Sequence, residues 1–175
     1  MRDSKPSDWL EQSSRWYYSQ IDGPPPYVVD IRSAAVGQEV SDAKPGTLIL
    51  RLHPRGGTVR VIDARGGDRG GIRSQGILRG RRFVMRRDNT VVWTSTVRSL
   101  VRKRHSLQLA GGEIWTIDTP FYWRLNFTAT LEGRTSLVGH LGPTMKHWGF
   151  KVEPGRETDD LLAAVGFLHW KWWTW

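Results

Sequence analysis

Between residues 47 and 152 the chain alternates short β-favouring runs with glycine-bearing turns. The clearest run is Arg82-Phe83-Val84-Met85-Arg86-Arg87, in which Phe83 and Met85 share one face of a strand and Arg82 and Arg86 the other. In residues 58–63, Val59 and Val61 oppose Arg60 in the same way. The pattern predicts strands at 47–52, 58–63, 72–78, 82–87, 91–97, 106–109, 113–119, 122–130, 136–140 and 148–152, with a further strand at 27–32. Turns are expected at Arg55-Gly56-Gly57, Arg65-Gly66-Gly67, Asp88-Asn89, Gly111-Gly112, Glu132-Gly133 and Gly142-Pro143. Many short strands at about ten-residue spacing point to an antiparallel sandwich or barrel.

The last segment breaks this period. Glu157, Thr158, Asp159 and Asp160 supply an N-cap and carboxylates where a helix dipole favours negative charge. Residues 161–168 then run Leu-Leu-Ala-Ala-Val-Gly-Phe-Leu, with no polar side chain. A helix without a polar face must be surrounded on all sides. The expected fold is therefore mainly β, an antiparallel barrel of hairpins enclosing a hydrophobic C-terminal helix. Gly166 marks a place where a neighbour comes close to that helix.

Ahead of the hairpins, residues 1–46 are polar and broken by proline. Asp8-Trp9-Leu10-Glu11 fits a capping box, and Trp9 with Trp16 and Leu10 with Tyr17 recur at seven-residue spacing, so a short docked helix is predicted there. Asp22-Gly23-Pro24-Pro25-Pro26 forces an extended stretch, and 41–46 is expected to be a loop. The organisation expected is an N-terminal extension over 1–46 packed on a barrel over 47–175.

A chain of 175 residues suffices for one core, and its ten Trp residues could fill much of it. The absence of Cys excludes disulfides and thiolate metal sites. No apolar run follows Met1-Arg2-Asp3-Ser4-Lys5-Pro6, and no run approaches the ~20 residues of a spanning helix, so a cytoplasmic protein with at most a peripheral membrane association is expected.

Charge adds a sharper feature. Residues 51–104 carry fifteen Arg or Lys against three acids, and the rest of the chain carries eleven bases and fourteen acids. The whole formal excess of +9 thus lies in the middle third, where it attracts phosphate-bearing partners. A solvated face is the ordinary explanation for surface charge, but so one-sided a surplus repels itself without a partner. The candidate anion-binding residues are Arg60, Arg79, Arg82, Arg86, Arg102, Lys103 and Arg104.

Other chemistry is weaker. The Arg-Gly-Gly triplets at Arg55, Arg65 and Arg69 are similar to RNA-binding repeats, but a strand separates two of them, so hairpin turns are the expectation. Residues 66–71 lack the Lys-Ser/Thr of a phosphate-binding loop. The five His residues show no metal spacing; His140 and His147 flank one turn, without a third ligand. No nucleophile elbow or carboxylate pair is present, so neither a catalytic residue, a metal nor a cofactor is expected. The terminal Trp170-Lys171-Trp172-Trp173-Thr174-Trp175 is read as a plug of the barrel mouth in preference to a membrane-interface anchor.

The repeated hairpins, with 82–93 the clearest, and Trp148-Gly149-Phe150-Lys151-Val152 leading into 159–173 resemble the tubby C-terminal-like superfamily: tubby, the phospholipid scramblases and the LURP-one-related proteins. The likeness covers about residues 47–173 and is architectural, with no short diagnostic motif. It implies a barrel around a central helix and, in some members, binding to phosphoinositides or membrane surfaces. No lipid-contacting position of that family maps residue by residue onto this chain, so no site carries over. The function expected is a non-enzymatic binding module for anionic lipid headgroups or a membrane surface. A nucleic-acid-binding protein is the second reading and an enzyme with an unrecognised site the third.

Overall fold

A strand with one apolar and one polar face needs a sheet that curls until its apolar faces meet. The computed structural model describes residues 27–33, 37–42, 47–76, 81–99, 104–118, 126–141 and 147–173. They form β1 (Tyr27–Ser33), β2 (Gly37–Asp42), β3 (Leu48–Arg55), β4 (Thr58–Asp63), β5 (Asp68–Gln75), β6 (Arg82–Arg87), β7 (Thr90–Ser99), β8 (Arg104–Leu109), β9 (Ile114–Asp118), β10 (Asn126–Leu131), β11 (Arg134–Leu141), β12 (His147–Val152) and the helix α1 (Asp159–Trp173). Each strand pairs antiparallel with its neighbours in sequence, and β1 also pairs with β12, so the sheet closes into a twelve-stranded barrel. Closure removes the unpaired edges that an open sheet exposes.

Two-residue turns carry the hairpins where the sequence marks them. Asp88 and Asn89 both adopt positive φ, at 49° and 65°, as the right-handed twist of β6 and β7 requires of the residues between them. The barrel begins at Tyr27, however, so the boundary expected at residue 46 falls inside it. Strand β2, of which Ser41 and Asp42 were expected to be loop, was not legible. Val40 is its one large apolar residue, and what makes it a strand is pairing with β1 on one side and β3 on the other. Without β1 and β2, β3 and β12 would each present a bare edge. The expected helix within 8–17 and the proline stretch lie outside the described residues.

Alternate residues of every strand face inward onto α1. Val29, Val40, Leu50, Leu52, Val61, Ile72, Phe83, Met85, Leu107 and Leu137 are all buried there, as are Trp93, Trp115 and Trp148. The helix has no exposed face over residues 161–168. Thr158 caps it: its Oγ1 accepts from the Leu161 N–H at 3.2 Å and its carbonyl from the Leu162 N–H at 2.9 Å. Asp159 and Asp160 in the first turn meet Arg69 at 3.7 Å and Arg87 at 2.7 Å, tying the helix start to the barrel rim.

At Gly166 an added Cβ would stand 3.2 Å from terminal methyls of Leu52 and Val40. Those methyls give by a few tenths of an ångström, while Ala gains about 1 kcal/mol in helix propensity over Gly. Gly166→Ala is therefore expected to leave the melting temperature nearly unchanged. Gly166→Leu has no space to enter and should cost about 1–3 kcal/mol in thermal or urea unfolding. A stabilised Leu variant would show that this face of the helix is not closed by β2 and β3.

His105 projects inward from β8, with Nδ1 3.2 Å from the Ser95 hydroxyl and its ring stacked 6.3 Å from Phe83. Burial pushes its imidazole down to about 4. The unfolded chain takes up this proton near pH 6.5 and the folded one does not, so the folded state is at full stability above 6.5 and loses it as pH falls toward 4. The loss amounts to about 3 kcal/mol by pH 4. Asp63 and Asp68, both held below the ordinary carboxylate value of 3.8, act in a lower window. Urea midpoints between pH 7.5 and 4 should therefore fall for the parent and stay flatter for His105→Gln.

Candidate functional site

The outer face of β4, β5 and β6 carries a groove of about 720 Å³. Its floor includes Gly70 and Gly71 of the triplet Arg69-Gly70-Gly71, which was expected to be a turn because of its glycines. It is strand instead, since β4 pairs with it on one side and β6 on the other. Two partners outweigh a weak intrinsic preference. Strand β5 thus starts at Asp68, not at Ile72, and ends at Gln75. The ladder slips between Val61 and Ile62, leaving Arg69 as the bulged residue. Gly70, at φ +126°, lies so close to β6 that a Cβ would stand 2.3 Å from the Arg86 carbonyl oxygen. The triplets at Arg55 and Arg65 do occupy turns.

Register places the charges. Gly71 is the direct cross-strand partner of both Arg60 on β4 and Arg86 on β6. The two arginines therefore face outward two strand spacings apart, roughly 10 Å, with no side chain between them. One step along, Arg73 stands between Thr58 and Val84. Arg55, at the end of β3, Arg87, Asp68, Asp88 and Asn89 also line it. Gly71 contributes no side chain, the Thr58 methyl lies where its Cβ would come within 2.9 Å, and the flanking guanidiniums give the groove positive sign.

The cations differ in how far they are already engaged. Arg60 is paired with Asp68, whose carboxyl is held below its ordinary range first by the Gly70 N–H and then by Arg60. Arg87 donates to the Arg69 carbonyl at 2.9 Å and to Asp160. Among the described residues Arg73 donates only to the Thr58 hydroxyl at 3.0 Å, and Arg86 only to the Asn89 carbonyl at 3.0 Å. Neither is paired there with a carboxylate, and each guanidinium keeps further N–H donors for an oxyanion.

Of the seven expected anion-binding residues, the structure brings Arg60, Arg82 and Arg86 onto one outward face. Arg82 lies along β6 from Arg86, opposite Gln75 and Thr96. Arg104 does not join them: it sits on β8, where its Nε donates to Asp118 at 3.1 Å. Arg79, Arg102 and Lys103 lie outside the described residues. Arg55 and Arg73 were missed. Arg73 follows the inward Ile72, so alternation alone marks it as outward, though no basic run surrounds it.

The ladder sets His140 opposite Gly149, so His140 and His147 are not cross-strand partners. Among the described residues no group of three His, Asp or Glu side chains is placed to hold a metal ion, and no helix is long and apolar enough to cross a membrane. Trp170, Trp172 and Trp173 fall in the last turns of α1. Every Phe, Tyr and Trp ring whose side chain is described belongs to the barrel interior or packs against it.

A closed antiparallel barrel around a C-terminal helix agrees with the general tubby-like architecture. No protein-family model, curated protein or solved structure matched the chain.

Proposed function

We propose that this protein is a non-enzymatic binding module for phosphate-bearing lipid headgroups at a membrane surface, engaged through the groove between Arg60 and Arg86. The observation that carries the reading is the glycine floor flanked by arginines, two of which, Arg73 and Arg86, pair with no carboxylate among the described residues. A tetrahedral oxyanion suits such a site because guanidinium N–H groups reach it from both walls. The resemblance to the tubby-like superfamily supports the same reading, and membership in that group is part of the proposal. Single-stranded nucleic acid, which needs stacking platforms beside a basic groove, is the alternative.

The test is co-sedimentation with vesicles of neutral phosphatidylcholine alone and with added phosphoinositide, at physiological salt. Binding is expected only to the second. Arg73→Gln with Arg86→Gln should lower it about thirtyfold, at about 1 kcal/mol per cation, without moving the melting temperature. Arg104→Gln, already engaged by Asp118, should have little effect. Unchanged binding in the double variant, or tighter binding to random oligonucleotides than to vesicles, would overturn the proposal.

A further inference from the structure

One stretch of the outer wall is hidden from water although it faces away from the core. On β11, β12 and β1 the residues Val138, Lys151 and Val28 alternate with the inward Leu137, Phe150 and Val29, and neither valine belongs to the core cluster. They are nevertheless 4%, 2% and 7% exposed. Gly149, outward between Trp148 and Phe150, is buried too, whereas the outward Thr96, Ser106 and Thr116 of β7, β8 and β9 remain partly exposed. Val84 on β6 is also outward and buried, but it stands beside Arg73 and between Arg82 and Arg86, whose long stems cover it. Around Lys151 and Val138 the described outward neighbours are Thr128, Ser136, Gly149 and Glu153, and Glu153 is engaged by Arg134 at 2.8 Å. None of these can roof a side chain as long as that of lysine.

The cover therefore comes from chain outside the sheet, and α1 lies on the sheet's other side. Position and charge both name it. Tyr27, the first residue of β1, is the partner of Phe150, so the 26 residues ahead of it join the barrel immediately beside Lys151. A segment of that length reaches well beyond the one or two strand spacings, about 5–10 Å, that separate Tyr27 from Lys151 and Val138. A buried ammonium also needs an anion. Outside the described residues, side-chain carboxylates occur only at Asp3, Asp8, Glu11 and Asp22. The connections 119–125 and 142–146, at the far end of these strands, contain no Asp or Glu. The N-terminal segment further carries Trp9, Leu10, Trp16, Tyr17 and Tyr18, apolar surface of the kind that Val28, Gly149 and Val138 accept.

We propose that this wall is a docking surface for residues 1–26 of the same chain, with a carboxylate of that segment on the Lys151 ammonium and its aromatic side chains over Val28, Gly149 and Val138. The segment thereby covers the seam at which β1 and β12 close the barrel. The groove of β4, β5 and β6 lies on the opposite wall, so the two surfaces hold or fail independently.

The test is carbodiimide cross-linking of the full chain, read by digestion and mass spectrometry, together with the acetylation rate of Lys151 against a free lysine amide in the same solution. Lys151 should be joined to Asp3, Asp8, Glu11 or Asp22. It should be acetylated about a hundredfold more slowly than the free amide, because it reacts only when the segment lifts. Deletion of residues 1–22 should restore most of that rate. Val138→Gln in the full chain puts an amide under the segment without touching the inner core, and should raise the rate about tenfold. It decides the matter if the truncated chain does not melt cooperatively. Lys151 without a link to residues 1–22, or acetylated as fast as the free amide, overturns the inference. So does a rate left unchanged by Val138→Gln, or by the deletion in a cooperatively melting chain, since another part of the protein would then be the cover.

Discussion

Removal of residues 158–175 should leave a chain that aggregates or stays unfolded, not an empty barrel. Leu161, Leu162, Val165, Phe167 and Leu168 are each 3% exposed or less, and every one of them packs in the barrel core. At roughly 1.5–3 kcal/mol per large buried side chain, they contribute about 8–15 kcal/mol of gross burial, comparable to the whole net stability of a typical domain. Their loss also strips the inward rows of β2, β3, β7 and β8, the strands nearest the helix. A barrel of this girth cannot collapse onto itself without breaking its closing ladder between β1 and β12. Circular dichroism melts and size-exclusion profiles of the truncated chain decide the matter. A soluble species with a cooperative transition would show that the strands are self-sufficient.

The second large effect is expected at Gly139. This residue sits on β11 as the direct partner of Phe127 on β10, and the Phe127 ring lies across it. A Cβ at this position would stand 1.9 Å from Phe127 Cε1 and 2.2 Å from Cζ. The ring has no free direction of retreat, because it packs edge-on against Trp148 at 5.2 Å, and Trp148 packs against Phe150 at 5.2 Å. The glycine is where an aromatic side chain from the next strand supplies the packing that its own lacks. Gly139→Val is expected to cost about 3 kcal/mol or more in urea unfolding, at the upper end of overpacking effects. Phe127→Ala alone should cost a similar amount through the cavity it leaves. The double variant should be markedly more stable than the sum of the two losses, because the new methyls enter the space the ring vacates. Strict additivity would mean that the two residues do not share that space.

The groove shows how local and non-local information divide. Arg82 and Arg86 were identifiable as an outward pair from the alternation with Phe83 and Met85 alone, and the structure keeps them outward. Arg60 opposite Val59 and Val61 was equally plain. Arg104 was not: its engagement by Asp118 depends on β8 and β9 lying side by side in a register that only the hairpin sets. Nor was the groove floor, since Gly70 and Gly71 have the composition of a turn and become strand through two neighbours.

The alternating hairpins, the turns at Asp88-Asn89 and Glu132-Gly133, and the helix that had to be enclosed are each written in the period or chemistry of adjacent residues. A run of eight residues without a polar side chain has to be enclosed, and the cap and carboxylates of Thr158, Asp159 and Asp160 ahead of it mark it as a helix. That β1 and β2 complete the barrel, and that Gly71 stands between Arg60 and Arg86, follows from strand pairing instead. Those features arise from which strand lies beside which. Pairing free energy is shared between segments distant in the chain, so no single segment carries its signature.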